Sequence, residues 1–275
     1  MSIITFWSNG KEETAKTLSI AAIATYMAIE HNYKILVLST NYNDTTLETC
    51  FWEEEAMGDK GKKNNLGGLS SGIEGLAKAI VSNKASPEII TNYTKIVFKN
   101  RLEILPGIQT ESYADYEKIR PLYKDILRTA NKYYDLIFVD LNKGLDNEDT
   151  REILEMSDIV AVNLTQRLRI INTYIELKEA DPLFRKNNTM LLIGRYDRFS
   201  KYNSKNVARY VGEKEVFTVP YSTLFFEAAN EGKVADFFLR FRKIDESDRN
   251  AVFISETQKT SAKIIYKLQE LQMRH

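Results

Sequence analysis

Seven short runs of almost wholly apolar residues recur along the chain, and they constrain its fold more than any other feature. They are residues 3–7 (IITFW), 34–38 (KILVL), 102–105 (LEIL), 136–140 (LIFVD), 159–163 (IVAVN), 190–193 (MLLI) and 216–219 (VFTV). A strand that shows one face to water alternates apolar with polar residues. A run without that alternation is buried on both faces, as in a parallel sheet with helices above and below. The intervening segments supply the helices. Residues 17–30 are apolar all round, residues 113–132 are amphipathic, and 170–180, 224–230 and 257–273 also read as helical. Strand, turn, helix, strand over residues 3–38 is a βαβ unit whose right-handed crossover makes its two strands parallel. The expected fold class is α/β, a doubly wound, mostly parallel sheet with helices on both faces.

The 275 residues read as a single domain, with residues 57–72 (MGDKGKKNNLGGLSSG) as a flexible loop beside a ligand site or an interface. Lys plus Arg and Asp plus Glu number 38 each, so no global field draws the chain to nucleic acid. Cys50 is the only cysteine, which excludes an intramolecular disulfide and a cysteine-rich zinc site. With His31 and His275 as the only imidazoles, a histidine metal centre is not expected. No stretch approaches the roughly 20 apolar residues that span a bilayer, and the N-terminus lacks a secretory pattern. A cytoplasmic location is the expectation.

The chemistry lies between the first strand and the first helix. Gly10-Lys11-Glu12-Glu13-Thr14-Ala15-Lys16-Thr17 follows the phosphate-loop pattern GxxxxGK[ST] except that Ala15 replaces the second glycine. In such a loop the backbone N–H groups and the helix N-terminus behind them cradle phosphate oxygens. Lys16 would reach the outer phosphates, Thr17 would offer its hydroxyl to Mg²⁺, and Leu18 would follow at the start of the helix. Asp140 ends the LIFVD strand, where an aspartate holds the Mg²⁺ shell or, more blandly, caps a turn.

With its additional lysine, Lys11, near the loop start, this segment resembles the deviant loop KGGxGK[ST] of MinD and ParA ATPases. The KILVL, LEILPG, YDLIFVD, IVAVN, LLIGRYD and FTVP segments also occur in that family's order, over roughly residues 2–240. The resemblance implies ATP and Mg²⁺ as cofactors and an ATP-sandwiched homodimer in which Lys11 reaches the partner's phosphates. Lys11 and Asp140 are then the catalytic residues. Gly10, Lys11, Glu12, Glu13, Thr14, Ala15, Lys16, Thr17, Leu18, Arg195 and Pro220 are the nucleotide contacts, and Thr17 and Asp140 the metal ligands. Arg195 would stack on the base where the family often has an asparagine, at the position of Gly194. Pro220 and Tyr221 would close over the base.

Several departures from the pattern bear on activity. Glu12 and Glu13 replace two loop glycines, and carboxylates facing a triphosphate would repel it by on the order of a few kcal/mol. Ala15 adds a Cβ where the backbone must approach phosphate, which is strained if its φ is positive. Ser39 and Asn41 replace the two aspartates that usually end the second strand, and neither can act as a general base. Asp44 would compensate only with a remodelled loop. Of the Pro-x-Gly stretch that senses the γ-phosphate, only Gly144 survives.

The expected function is that of a MinD/ParA-like positioning or scaffold protein that dimerises, binds ATP and hydrolyses it weakly or not at all. The opening ITFWS and the degenerate loop most resemble the TadZ/CpaE pilus-localisation branch, which implies protein machinery at a membrane or pole and a place at the inner membrane face. One alternative is an active ParA-type ATPase that moves DNA or a complex. Another is a nucleotide-free interaction module in which Lys11 and Lys16 only balance Glu12 and Glu13. Weak nonspecific DNA contact would require two basic runs to converge: Arg195, Arg198, Lys201, Lys205 and Arg209, and Arg240, Arg242 and Lys243. The last helix, with Ile264, Ile265, Leu268 and Leu271 beside Lys259, Lys263 and Lys267, is expected to pack on the sheet rather than lie on a membrane. In each of the pairs Tyr133-Tyr134, Phe225-Phe226 and Phe237-Phe238, one ring is expected in the core and the other at a surface.

Overall fold

The computed structural model describes residues 1–10, 13–53, 72–82, 86–110 and 112–273. Lys11, Glu12 and all of the 57–72 segment except Gly72 lie outside the described residues. The strands are β1 (Ser2–Trp7), β2 (Ile35–Ser39), β3 (Lys95–Phe98), β4 (Leu102–Leu105), β5 (Leu136–Asp140), β6 (Ile159–Leu164), β7 (Thr189–Tyr196) and β8 (Val216–Pro220). They form one eight-stranded sheet in the order β3-β4-β2-β5-β1-β6-β7-β8. Every pairing is parallel except β3 with β4. All seven apolar runs are strands. The eighth, β3, is a half-exposed edge strand with a register shift, too short and too mixed in polarity to be legible in the sequence.

Eleven helices are described: α1 (Lys16–Glu30), α2 (Thr46–Thr49), α3 (Gly72–Val81), α4 (Tyr113–Ile119), α5 (Tyr123–Ala130), α6 (Glu148–Met156), α7 (Leu168–Ala180), α8 (Ser204–Val211), α9 (Thr223–Asn230), α10 (Val234–Arg240) and α11 (Ala251–Gln272). The expected helix over 113–132 is two helices joined by a 3₁₀ turn, Arg120–Leu122. Pro121 lacks the N–H that would continue the α-helical ladder, and its ring crowds the preceding turn. The terminal helix begins at Ala251, six residues before the expected start. It buries Phe253, Ile254, Ile264 and Leu268 against β8 and α1, as packing on the domain requires.

Period-two alternation along the strands divides the core into two layers. Ile3 and Trp7 of β1 and Leu36 and Leu38 of β2 face the layer covered by α3 to α8. Ile4, Phe6, Ile35 and Val37 face the layer covered by α1, α2 and α9 to α11. Because both faces are covered, no strand shows the polar alternation of a half-exposed sheet. Four alanines and an interior free of Gly and Pro favour helix in α1. The helix is sequestered by tertiary packing against α10 and α11.

One expectation about aromatic pairs is corrected. Phe237 and Phe238 are both buried, because α10 sits in a crook where Phe225 and Phe253 close around it. In the other two pairs, Tyr134 and Phe225 are core, and Tyr133 and Phe226 are partly exposed.

Candidate functional site at the carboxyl ends of the central strands

The chain begins in the middle of the sheet, builds β2, β4 and β3 on one side, returns through β5, and then builds β6, β7 and β8 on the other. Ligands of open α/β sheets bind beyond the carboxyl ends of strands at such a reversal. The phosphate-loop segment, the end of β5 and the end of β2 all lie there. β1 pairs with β5 so that Phe6 is opposite Asp140, and β2 pairs with β5 so that Ser39 is also opposite Asp140.

Asp140 is fully buried. Its Oδ2 accepts a hydrogen bond from Thr17 Oγ1 at 2.5 Å, and the Lys16 ammonium lies 2.8 Å from Oδ1 as an ion pair by proximity rather than an aligned hydrogen bond. The Lys16 ammonium also donates to the carbonyl oxygen of Leu141. Lys16 is 6% exposed, so its charge is turned inward and partnered. The three residues expected to hold phosphate and Mg²⁺ are thus in mutual contact. Thr17 and Asp140 present the hard oxygen donors that Mg²⁺ prefers, so the phosphate end of the site fits its implied ligands.

The loop backbone bears a cost. Ala15, the residue before α1, has φ 53° and ψ 34°. A left-handed conformation costs a residue with a Cβ on the order of 1–2 kcal/mol. The Ala15 carbonyl offsets part of this by accepting from Ser19 N and Ser19 Oγ. Thr14 is buried, Gly10 is partly exposed, and Glu13 is exposed. The Glu13 carboxylate is directed at Arg195, 3.6 Å away, and not at the loop interior. An ion pair this exposed contributes about 0–1 kcal/mol.

The base side is tightly packed at its floor. Arg195 is the residue over which the β7–β8 register shifts, and it too is left-handed, at φ 50°. Its guanidinium lies 5.9 Å from the centre of the Phe226 ring. Gly194 is pressed so close to the loop that an added Cβ would fall 2.4 Å from the Thr14 carbonyl oxygen and 3.2 Å from Ala15 Cβ. The space bounded by Ala15, Leu18, Arg195, Pro220, Tyr221 and Phe226 amounts to about 20 Å³. Its inner part has room for about one water.

Ser39 and Asn41, which end β2, supply no base. Ser39 Oγ accepts from Asn41 N at 3.2 Å and Asn41 Nδ2 at 3.0 Å. Asp44 does not replace the missing aspartates. Its Oδ1 caps α2, accepting from Thr46 N at 2.9 Å and Thr46 Oγ1 at 2.5 Å. This strand end is laced to β5 through Thr40, whose Oγ1 accepts from Asn142 N and whose carbonyl accepts from the Tyr116 hydroxyl. Gly144 has φ 77°, and its carbonyl accepts from the Trp7 indole N–H at 2.9 Å.

Three features are not legible in the sequence. Glu48 is buried beside this strand end, and burial raises its carboxyl above the usual range although it accepts from Gly107 N at 2.7 Å. Cys50 nearby is buried, and its thiol is pushed up to about 12 by burial and by the carboxylates around it. A hollow beside the loop, lined by Asn163 and Tyr174, was also missed. An asparagine within the apolar run IVAVN was the available signal for it.

The two basic runs do not converge. One lies along the end of β7 and α8, over one face of the sheet; the other follows α10, over the opposite face. Arg242 is paired with Glu30 at 2.7 Å, and Arg195 with Glu13. No helix among the described residues is long and apolar enough to cross a membrane.

No protein-family model and no curated protein matches the chain. Solved structures do. A ParA family ATPase from Chlorobium tepidum TLS superposes with a TM-score of 0.67 at 16% identity, over 92% of this chain and 96% of that one. The septum site-determining protein MinD of Pyrococcus horikoshii OT3, complexed with Mg-ADP, gives a TM-score of 0.65 at 14% identity, over 97% and 98%. A putative plasmid partition protein of Borrelia burgdorferi B31, bound to AMPPNP, gives 0.60 at 19% identity, over 99% and 98%. The chain has the fold of the MinD/ParA ATPases, an α/β P-loop NTPase fold, in agreement with the motif order in its sequence.

Proposed function

We propose that this chain is a MinD/ParA-like positioning or scaffold protein that takes the phosphates of ATP and Mg²⁺ at its loop and hydrolyses ATP weakly or not at all. The observation that carries the reading is the contact of Lys16, Thr17 and Asp140 at the head of β1, β5 and α1, with Ser39 and Asn41, neither of them a base, in the place of the two aspartates that usually end the second strand. The N-terminus of α1 supplies positive charge to the phosphates, and Lys16 joins it on turning from Asp140 to the loop. Thr17 and Asp140 hold the metal, which when bound neutralises phosphate charge. Glu13 is directed away from the phosphates, so the repulsion expected of it is small.

The fold neighbours support nucleotide binding by analogy, since one carries Mg-ADP and another AMPPNP. The homodimer, with Lys11 reaching the partner's phosphates, and partner machinery of the pilus or secretion type rest on the sequence resemblance alone. An active ParA-type ATPase would need a general base that Ser39 and Asn41 do not provide. The nucleotide-free interaction module is favoured by one observation, the shallow base side beside Arg195 and Ala15.

Calorimetric titration with ATP·Mg²⁺, with phosphate release followed on the same sample, separates the three. Binding lost in Lys16→Ala with negligible turnover is the expected result. Turnover typical of ParA proteins sinks the reading in favour of the active ATPase. Absence of heat at millimolar ATP leaves the interaction module.

A further inference from the structure

We infer that the Lys16–Asp140 contact is an autoinhibitory latch, which keeps the phosphate loop closed to nucleotide until a divalent cation takes the place of the lysine on Asp140. The latch rests on the nucleotide reading for the identity of its ligand, but its opening can be followed with no nucleotide present.

The groups expected to hold phosphate and metal are engaged with one another. Asp140 is a single carboxylate, and both of its oxygens are in use. Oδ2 accepts from Thr17 Oγ1 at 2.5 Å, and Oδ1 has the Lys16 ammonium 2.8 Å away. The ammonium is held from a second direction by the carbonyl of Leu141. That carbonyl is fixed in place, because Leu141 is buried and its N–H donates to the carbonyl of Phe6 on the neighbouring strand at 3.0 Å. The side chains of Lys16 and Asp140 are 6% and 1% exposed, so solvent ions screen the pair little.

A phosphate arriving alone cannot recruit Lys16 easily. Drawing the ammonium towards the loop strips a buried carboxylate of the cation beside it, which is strongly unfavourable. The carboxylate so exposed would also repel the phosphate. A divalent cation removes both obstacles. Thr17 and Asp140 present adjacent oxygens, the donors such a cation prefers, and its charge exceeds that of the ammonium it replaces. Lys16 has three N–H donors and no lone pair for the metal, so the exchange frees it for phosphate oxygens. The loop then has two states, with Lys16 in or out, and its affinity for nucleotide scales with the fraction out.

Asp140→Asn removes the charge that holds the lysine and keeps an oxygen for Thr17. Acetylation of the full chain with acetic anhydride, mapped by peptide mass spectrometry, reads the latch directly. In the wild type Lys16 should react far more slowly than the exposed Lys243. It should react at least ~5-fold faster in Asp140→Asn, with Lys243 unchanged. In the wild type itself, ~10 mM Mg²⁺ should speed Lys16 acetylation and NaCl of equal ionic strength should not, a reading that needs no variant to fold. Calorimetry in EDTA reads the consequence: metal-free ATP should bind Asp140→Asn at least ~10-fold more tightly than wild type. Loss of simple repulsion would tighten binding too, and a double-mutant cycle separates the two. A latch requires that the gain disappear when Asp140→Asn is combined with Lys16→Met. The inference is overturned if wild-type Lys16 reacts as fast as Lys243, if Mg²⁺ leaves its reaction unchanged, or if the gain survives in the double variant. ATP·Mg²⁺ that fails to bind the wild type, with Lys16 still released by Asp140→Asn and by Mg²⁺, removes the nucleotide reading and leaves the latch standing.

Discussion

On the flank that faces β7 and β8, the phosphate loop is packed to contact. Gly194 lies against Thr14 and Ala15, Arg195 reaches Glu13 and Phe226, and about 20 Å³ is left between them. On the flank that faces α7, the same loop leaves about 280 Å³. The difference follows from what each neighbour can offer. Gly194 has no side chain, so the loop settles directly on the strand backbone. On the other flank, a hollow lined by Val162, Leu164, Ile170 and Leu177 separates the loop from α7. Between the flanks sits the Lys16–Asp140–Thr17 cluster, which anchors the loop to β5. Two residues that face each other across the packed flank, Ala15 and Arg195, are left-handed without being glycine. Strain therefore accumulates where the packing is tightest.

Substitutions can break or sharpen this contrast, and the largest effect is expected at the anchor. Lys16→Met leaves the Asp140 carboxylate buried without its cation, and loss of one partner of a buried ion pair costs about 3–5 kcal/mol. Urea denaturation should show that loss; a change below ~1 kcal/mol would mean that the pair does not anchor the loop. Next is Gly194→Ala. Its Cβ would meet the Thr14 carbonyl, so the packed flank should open at a cost of about 1–3 kcal/mol, read as a lower melting temperature. Ala15→Gly acts in the opposite direction. It removes the left-handed penalty and should stabilise the chain by up to about 1 kcal/mol, with tighter ATP·Mg²⁺ binding in the same titration.

The smallest change expected is at Glu48, outside both flanks, and it depends on pH. Because burial raises the Glu48 carboxyl in the folded state, the fold holds its proton over a range in which the unfolded chain has released it. Stability contributed by this group is complete below the ordinary carboxyl range and declines as pH rises through the raised value. Glu48→Gln keeps an acceptor for Gly107 N and should flatten that decline. Denaturation midpoints at pH 5 and pH 8 in wild type and variant check the sign; a wild-type midpoint that rises with pH relative to the variant contradicts it.

The sequence was informative where chemistry repeats along the chain. Continuous apolar runs mark strands covered on both faces, and all seven appear in the sheet. The Gly10–Thr17 spacing placed Lys16 and Thr17 at the head of a helix, and the LIFVD run placed Asp140 at a strand end. Their distance in sequence, 123 positions from Thr17 to Asp140, is closed by parallel pairing of β1 with β5. Elements of weak local pattern were not legible. β3 is short and half-exposed, α10 is made cohesive by aromatics from α9 and α11, and Pro121 divides a helix whose apolar period runs across it.

The sequence alone determined the layered α/β fold and the residue types of a phosphate site lacking a base on its second strand, because periodicity and motif spacing are local properties. Only the tertiary structure decided the direction of Glu13, the inward turn of Lys16, the left-handed Ala15 and the unequal flanks of the loop. Each of these depends on which strand end or helix face lies across from the loop. Gly194, far apart in sequence from residues 10–17, sets how closely the loop packs on its flank.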